Sequence, residues 1–303
     1  MATVLISGGT GLVGRALTAE LVRRNYEVII LTRRSSKQEG RIRYSHWDPA
    51  KKQIETDAIQ RADFIVHLAG ANVGQGRWTA KRKKEIIDSR VQSGELLVHA
   101  LKHNPNHVKA VVSASAMGIY GPDNEKPVPF LETDKPSEAF LGRVVQQWER
   151  AIEPVKTLNK RLVILRGGIV LSNEGGAYKE FKKRLRFGVA SVLGPGNQVV
   201  SWIHIDDFVR MFIEAMENDQ WHGIFNAVTP HPVTNRELIM TMAGKRKFFI
   251  PVRVPAFVLK TMLGEMSVEL LKSTTVSAAK IENIGFSFLY PTIAGAIQQL
   301  EAS

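Results

Sequence analysis

Short apolar runs alternate with longer segments in which apolar residues recur every three or four positions. Uninterrupted runs bounded by turn residues predict buried strands, and the longer periodic segments predict amphipathic helices. The pattern predicts strands at residues 3–7, 27–32, 42–45, 64–68, 110–113, 162–166 and 224–227. It predicts helices at residues 11–24, 79–103, 139–158 and 206–217. This alternation is typical of an α/β fold with a doubly wound parallel sheet covered by helices on both faces.

A glycine-rich segment directly follows the first predicted strand. Glycine at positions 8, 11 and 14 permits a sharp turn, close approach of a diphosphate and tight packing of the next helix. The free N–H groups at that helix start and the positive end of its dipole favour phosphate oxygens. A helix cap without a ligand is the alternative interpretation. The flanking strands and helix favour a dinucleotide site, formed by Gly8, Gly9, Thr10, Gly11, Leu12, Val13 and Gly14.

The residues after the second predicted strand indicate which dinucleotide fits. An acidic residue there would bond the ribose 2′-hydroxyl of NAD, but this chain has Arg33 and Arg34. Guanidinium groups pair well with a phosphate, so we predict NADP as the cofactor and NAD as the less favoured alternative. Two solvated arginines are the other interpretation. The remaining predicted cofactor contacts are Trp47, Asp48, Leu68, Ala69, Gly70 and Ser113.

Two stretches interrupt the alternation of strands and helices. Residues 171–200 contain Gly175-Gly176 and Gly194-Pro195-Gly196, which predict turns, and prolines punctuate the chain after residue 229. Within that tail we predict helices over residues 272–280 and 293–300. We therefore predict that residues 1–170 and 201–228 form a dinucleotide-binding domain. Residues 171–200 and 229–303 would form a smaller, mostly helical domain that covers the substrate.

The composition of the 303-residue chain is that of an ordinary globular protein, with 44% hydrophobic and 23% charged residues. It has no apolar run long enough to cross a bilayer and no export signal at the start, so we expect no membrane partner and a cytoplasmic location. The absence of cysteine excludes disulfides, thiol nucleophiles and thiolate metal sites. We expect no metal site at His204, Asp206 and Asp207 either, and expect one of these aspartates to cap the next helix.

The formal net charge of +12 raises the question of a nucleic-acid partner. We interpret the densest basic runs, residues 81–84 and 179–186, as helical, and no motif with stacking aromatic residues accompanies them. We therefore expect no nucleic acid. Solvated helix faces, or attraction of an anionic cofactor, explain the charge better.

Several motifs resemble those of extended short-chain dehydrogenases. They are the glycine segment 8–14, Val66-His67-Leu68-Ala69-Gly70, Ser113-Ala114-Ser115-Ala116 with Tyr120-Gly121, and residues 201–207. Residues 76–79, 89–91, 147–149, 171–176 and 286–291 resemble an atypical group of that superfamily, the epimerase family proteins. The resemblance covers nearly the whole chain. It implies a Rossmann fold, a nicotinamide cofactor, a C-terminal domain of uncharacterised function and a homodimer, and it leaves the substrate open.

The chain departs from the superfamily where chemistry is expected. The usual Tyr-x-x-x-Lys is replaced by Leu141 and Val145, which cannot transfer a proton. The resemblance places Ser115 beside the reacting oxygen as a hydrogen-bonding group, with a turn cap as its other role. Tyr120 would give a proton if a neighbouring positive charge lowered its pKa, although buried tyrosines usually only hydrogen-bond. Arg90, at the position of the usual asparagine, would bind an anionic substrate or a cofactor phosphate, unless it is a plain surface arginine.

Two functions from different classes follow from these residues. The first is an NADP(H)-dependent oxidoreductase acting on a small, anionic or conjugated molecule, such as an enone, quinone or imine, that needs little protonation by a side chain. Epimerisation by transient oxidation fits less well because it requires a base for the alcohol proton. The second function is a non-catalytic dinucleotide-binding sensor or partner-binding module.

We further interpret the loop over residues 121–137 as a lid over the nicotinamide or an ordinary surface connection.

Overall fold

The computed structural model describes residues 1–123, 129–246 and 248–302. The strands are β1 (Thr3–Ser7), β2 (Glu27–Thr32), β3 (Lys37–Glu39), β4 (Ile42–Asp48), β5 (Gln53–Ile54), β6 (Phe64–His67), β7 (Ala110–Ala116), β8 (Arg161–Gly167), β9 (Ile169–Leu171), β10 (Val189–Leu193), β11 (Val199–Val200), β12 (Trp202–His204), β13 (Gly223–Ala227), β14 (Val233–Thr234) and β15 (Ile250–Val254). The α-helices are α1 (Leu12–Arg23), α2 (Thr56–Gln60), α3 (Ala80–His103), α4 (Phe140–Ile152), α5 (Gly176–Leu185), α6 (Ile205–Glu217), α7 (Asn235–Ala243), α8 (Ala256–Leu263), α9 (Met266–Leu271), α10 (Ala279–Asn283) and α11 (Ile293–Ala302).

The central sheet has the order β13-β8-β7-β6-β1-β2-β4-β3, and β5 pairs with β4. Its strands are parallel except β3 and β5, which run antiparallel to β4. All seven predicted strands lie in this sheet, and the predicted fold class is confirmed. From β1 the chain first adds strands on one side and then returns to add β6 on the other. Such a reversal opens a crevice at the carboxyl ends of the strands.

The inner strands of the sheet, namely β1, β2, β6, β7 and β8, are buried on both faces, which explains their nearly continuous apolar sequences. In β1, Ile6 packs in a cluster with Leu17 of α1 and Phe212 of α6. The neighbouring Leu5 points the opposite way and packs with Leu97 of α3. Because successive side chains of a strand alternate between faces, the two clusters enclose the sheet between two layers of helices.

A third cluster of buried side chains lies away from the central sheet and includes Tyr178, Trp202, Leu238 and Ile297. It is accompanied by three small sheets, in which β10 pairs with β15, β11 with β14, and β9 with β12. Much of this cluster comes from the two stretches assigned by sequence to a second domain. The division of the chain into two domains stays a prediction. No helix in the described ranges is long and apolar enough to cross a membrane.

One predicted element of the C-terminal region is wrong. Residues 272–278 are not helical, because Thr274 forms a β-bridge with Val200 and Val276 forms one with Phe130. These long-range backbone pairs override the local preference, and helix α10 begins only at residue 279. The predicted helix over residues 293–300 is present as α11. Of the loop interpreted as a lid, residues 124–128 lie outside the described residues.

Candidate functional site

Two glycines shape a tight turn between β1 and α1. Gly8 has a φ of +76°, and a Cβ there would lie 2.8 Å from the carbonyl carbon of Leu68. A Cβ at Gly14 would lie 2.3 Å from the carbonyl oxygen of Gly8 and 2.6 Å from the Cα of Gly9. Each of these contacts is with backbone, which cannot move aside as a flexible side chain can. Only glycine fits at positions 8 and 14.

The start of α1 has no side-chain cap among the described residues. Gly11 is the N-cap residue, no side chain caps the helix, and the first turn contains no acidic residue. Leu12, Val13 and Gly14 are the first three helical residues, so their N–H groups have no partner within the helix. These amides and the helix dipole suit an anion, and phosphate oxygens satisfy both.

The turn opens into a cleft of about 1090 Å³ at the carboxyl ends of β1, β2, β4 and β6. The cleft exceeds the volume of a typical small-ligand pocket, which suits a ligand as large as a dinucleotide. Its lining includes ten predicted cofactor contacts, namely Gly8, Thr10, Gly11, Arg33, Arg34, Trp47, Asp48, Leu68, Ala69 and Gly70. Five further predicted contacts are not among the lining residues of the described chain, namely Gly9, Leu12, Val13, Gly14 and Ser113.

Trp47 and Asp48 lie at the rim of the cleft, where both also have structural partners. Trp47 is buried in the cluster between the sheet and α3. The Asp48 carboxylate accepts hydrogen bonds from the N–H groups of Ala50 at 3.1 Å and Lys51 at 3.4 Å. These contacts hold the backbone of the rim in place whether or not a ligand is bound.

The cleft is cationic on two sides. Arg33 and Arg34 are exposed at the end of β2, and Lys81, Arg82 and Lys84 of α3 line the opposite side. Arg82 and Lys84 pair with acidic residues of their own helix. Within the described chain, neither Arg33 nor Arg34 forms an ion pair with a carboxylate. Their charges are therefore available to an anionic ligand.

Arg90 lies against Gly70, which lines the cleft, and is not itself among the lining residues of the described chain. A Cβ at Gly70 would lie 2.9 Å from the Arg90 Cζ, and Nη1 donates to the carbonyls of Ala71 and Ile86 at 3.0 Å each. The guanidinium also lies 4.9 Å from the centroid of the Trp148 ring. Burial, with a contribution from the charge of Arg82, lowers the Arg90 pKa to about 10. The side chain is therefore a cation at neutral pH, and no carboxylate among the described residues pairs with it.

His67 connects the carboxyl ends of β1 and β6 to the helices above them. Its Nδ1 lies 2.7 Å from the Ser7 Oγ, and its Nε2 accepts from the Trp148 Nε1 at 3.4 Å. Because Nε2 is an acceptor, we assign the ring proton to Nδ1, which donates to Ser7. Burial, and then the charge of Arg90, lower the His67 pKa to about 3. His67 is therefore buried and uncharged at neutral pH, and its ring links Ser7 of β1 to Trp148 of α4 by hydrogen bonds.

A second polar network lies at the ends of β7, β8 and β13. The Ser115 Oγ donates to the Glu149 Oε1 at 2.6 Å. The Arg166 Nε and Nη2 bond the two oxygens of the same carboxylate at 2.8 Å each. Although burial opposes it, hydrogen bonding to Glu149 raises the pKa of Arg166. The sequence analysis did not predict this pair. The features that could have indicated it are the position of Glu149 within the motif 147–149 and the presence of a charged residue, Arg166, in a buried strand.

Tyr120 was expected to donate a proton only if a neighbouring positive charge lowered its pKa, and burial raises that pKa instead. Its hydroxyl donates to the Asn226 Oδ1 at 2.6 Å and accepts from the Arg166 Nη1 at 3.0 Å. Burial raises the Tyr120 pKa to about 12, which outweighs the lowering effect of Arg166. Neither Tyr120 nor Ser115 is among the described residues that line the cleft.

Sequence comparisons place the chain in a family. Residues 4–227 match the NAD dependent epimerase/dehydratase family, and residues 254–300 match a domain of unknown function, DUF1731. The chain is 34% identical to an epimerase family protein of Staphylococcus aureus, over 99% of both chains. It is 33% identical to one from Mycobacterium leprae, over 98% of this chain and 94% of the other. This chain belongs to the NAD dependent epimerase/dehydratase family.

Solved structures agree with this membership. The human epimerase family protein SDR39U1 (isoform 2), solved with NADPH, superimposes with a TM-score of 0.86 at 29% identity, over 99% of both chains. A nucleoside-diphosphate sugar epimerase of Corynebacterium glutamicum gives a TM-score of 0.76 at 30% identity, over 99% of this chain and 61% of the other. The resemblance to epimerase family proteins inferred from the motifs is confirmed.

Leu141 and Val145, to which the sequence resemblance assigns the positions of the superfamily's tyrosine and lysine, are apolar residues of α4. Leu141 packs with Trp78 and Phe140, and a Cβ at Gly118 would lie 3.4 Å from its side chain. Val145, one helical turn later, is buried against the sheet. Both positions contribute apolar packing on α4 and hold no titratable group.

The prediction that Asp206 or Asp207 caps helix α6 is wrong. The capping side chain is His204, whose Nδ1 accepts from the N–H of Asp206 at 3.2 Å. Asp207 is buried and accepts instead from the backbone N–H groups of Leu289 at 2.8 Å and Tyr290 at 2.9 Å. In the described part of this family member, no group of three or more His, Asp or Glu residues is arranged to hold a metal ion.

Proposed function

We propose that the protein is an NADP(H)-dependent oxidoreductase that transfers hydride to or from a small anionic or conjugated molecule. The observation that carries the proposal is the position of Arg33 and Arg34. Both lie on the cleft that begins at the glycine turn, and neither has a carboxylate partner in the described chain. The NADPH bound to the human relative supports the same cofactor.

The two phosphate-bearing parts of the cofactor each have matching groups in or beside the cleft. The amides at the start of α1 would bind the diphosphate, and the guanidinium groups of Arg33 and Arg34 would bind the 2′-phosphate. The glycine turn fits this assignment because a Cβ at Gly14 would displace the backbone that forms it. A bound nicotinamide supplies a hydride donor or acceptor. The protein contributes binding, orientation and exclusion of water.

The substrate class follows from the groups available near the cleft. Arg90 is a cation without a carboxylate partner among the described residues, so we propose that it attracts an anionic group of the substrate or the cofactor. The Ser115 proton is engaged by Glu149, and Leu141 and Val145 cannot donate one. We therefore propose that Ser115 orders the Glu149 network, and that the acceptor is an enone, quinone or imine that needs little protonation by a side chain.

A non-catalytic dinucleotide sensor is the second candidate function. It is favoured by the engagement of both candidate hydroxyls, since Ser115 donates to Glu149 and Tyr120 donates to Asn226. A sensor would bind NADPH tightly and reduce nothing.

Arg33→Asp is expected to reduce the preference for NADPH over NADH by about 10-fold to 100-fold. A charge-assisted hydrogen bond contributes about 1.5–3 kcal/mol, and the new carboxylate would repel the 2′-phosphate. The measurement is the dissociation constant of each dinucleotide by calorimetry. Arg150→Asp, an exposed arginine on α4, is the matched control and should leave the ratio unchanged. An unchanged ratio in Arg33→Asp would remove the assignment of the 2′-phosphate contact.

A panel of acceptors separates the enzyme from the sensor. NADPH oxidation is measured with conjugated acceptors that differ only in carrying or lacking a carboxylate, and with unconjugated ketones. We expect turnover of the conjugated compounds, and a rise of about 10-fold to 100-fold in KM for the carboxylate compounds in Arg90→Ala. Arg90→Lys keeps the charge and should retain part of the affinity. Tight NADPH binding without turnover of any acceptor would support the sensor.

A further inference from the structure

A group of large apolar side chains is exposed beside the β10–β15 pair. Phe187 is 87% exposed, Phe248 is 71% exposed and Ile250 is 55% exposed. The backbone brings them together, because the Ile250 N–H donates to the Gly188 carbonyl at 2.7 Å. A Cβ at Gly188 would lie 3.7 Å from the Phe248 ring. Exposed apolar side chains grouped in this way mark an interaction surface rather than ordinary scatter.

The apolar group continues along β15. Val252 follows Ile250 at a spacing of two, so both side chains lie on the same face of the strand, and Val252 is also exposed. In the described chain β15 pairs only with β10, which leaves this strand at an edge. We call Phe187, Phe248, Ile250 and Val252, together with the cations Arg184, Arg186 and Lys245, the apolar-basic face.

Most of the charge around this face is positive, although Glu301 pairs with Lys182 and Arg246, and Glu180 pairs with Lys183. Residues 181–205 and 238–264, which contain β10 and β15, have four and five basic residues respectively and no Asp or Glu. Arg184 and Arg186 come just before Phe187, and Lys245 precedes Phe248. All three cations are exposed, and none forms an ion pair with a carboxylate of the described chain. The face therefore combines exposed aromatic groups with uncompensated positive charge.

We propose that the apolar-basic face binds the surface of an anionic phospholipid bilayer. Aromatic and aliphatic side chains enter the boundary between headgroups and acyl chains, while neighbouring cations attract acidic headgroups. A deformable bilayer receives side chains as exposed as Phe187 without a complementary pocket. A symmetric contact with a second copy would place these cations opposite one another, with no acidic residue in either segment to offset them.

This proposal departs from the expectation, made from the sequence, of no membrane partner. That expectation rested on the absence of an export signal and of a segment able to cross the bilayer, and the described helices contain no such segment. Binding on the surface needs no such helix. The aromatic residues of the face are some 60 positions apart in the chain, so no local pattern indicates them.

Co-sedimentation of the full chain with vesicles tests the proposal. We expect binding to mixed phosphatidylglycerol–phosphatidylcholine vesicles, weak binding to phosphatidylcholine alone, and a loss of binding as salt is added. The double variants Phe187→Ser with Phe248→Ser, and Arg184→Glu with Arg186→Glu, should each weaken binding at least about tenfold. Leu289→Ser and Lys102→Glu change exposed residues outside the face and should bind like the unmodified chain. Unchanged NADPH affinity reports that each variant is folded.

Three results would overturn the proposal. The first is vesicle binding by both double variants that equals that of the unmodified chain. The second is that the chain binds double-stranded DNA as strongly as vesicles and that the phenylalanine variant binds both like the unmodified chain. That result would show that the cations bind any polyanion without a contribution from the apolar side chains. The third is a dimer, seen by analytical ultracentrifugation, that the phenylalanine variant converts to a monomer while vesicles bind neither protein.

Discussion

Gly14→Ala is expected to weaken NADPH binding by at least about 100-fold. The added Cβ would lie 2.3 Å from the Gly8 carbonyl oxygen and 2.6 Å from the Gly9 Cα, so the turn must move away from the start of α1. The diphosphate then loses charge-assisted hydrogen bonds, each of which contributes about 1.5–3 kcal/mol, and two such losses give the expected change. Calorimetric titration with NADPH measures it.

The matched control for this prediction is Gly295→Ala. Gly295 lies in α11, where an added Cβ would meet nothing closer than the Thr292 Oγ1 at 3.4 Å. This variant should bind NADPH like the unmodified protein. Because overpacking also costs about 1–3 kcal/mol of stability, a urea unfolding curve must show that Gly14→Ala is folded at the titration temperature. Folded Gly14→Ala that binds NADPH normally would show that the turn does not form the phosphate site.

Glu149→Ala is expected to lower the free energy of unfolding by about 3–5 kcal/mol. Removing one partner of a buried ion pair leaves the other charge without compensation, and here Arg166 is 4% exposed. The Ser115 hydroxyl loses its acceptor at the same time. Urea unfolding at neutral pH measures the change. Glu153→Ala, which breaks an exposed ion pair with Lys156, is the control and should cost no more than about 1 kcal/mol.

A double variant tests whether an uncompensated charge or the loss of the network's hydrogen bonds destabilises Glu149→Ala. Glu149→Leu combined with Arg166→Met replaces both charges with apolar groups, so it should be more stable than Glu149→Ala alone. If the double variant is less stable than Glu149→Ala, the destabilisation comes from the lost hydrogen bonds rather than from an isolated charge. A cost below about 1 kcal/mol for Glu149→Ala would contradict the structural importance of the pair.

The sequence predicted those parts of the site that depend on neighbouring residues. Gly8, Gly11 and Gly14 indicated a turn because their spacing, between a strand and a helix, restricts the backbone locally. Arg33 and Arg34 were also predicted from local sequence, because they directly follow the run that forms β2. Most of the seven predicted strands were found because runs buried on both faces are uniformly apolar, whereas β4 is partly exposed and carries polar residues.

Features that depend on contacts between distant segments were not predictable. Arg166 and Glu149 lie on a strand and a helix whose side chains meet only after folding. The segment over residues 272–278 became extended because Thr274 pairs with Val200, some 70 residues away. Proton donation by Tyr120 required a neighbouring charge that lowers its pKa, whereas burial, a property of the folded chain, dominates and raises that pKa.

Calorimetric titration of the unmodified protein with NADPH, NADP⁺, NADH and NAD⁺ tests the central claim most directly. We expect binding of one NADPH per chain, with NADH binding more weakly by about 10-fold to 100-fold. If none of the four dinucleotides binds measurably at millimolar concentration, the glycine turn and the cleft are not a dinucleotide site.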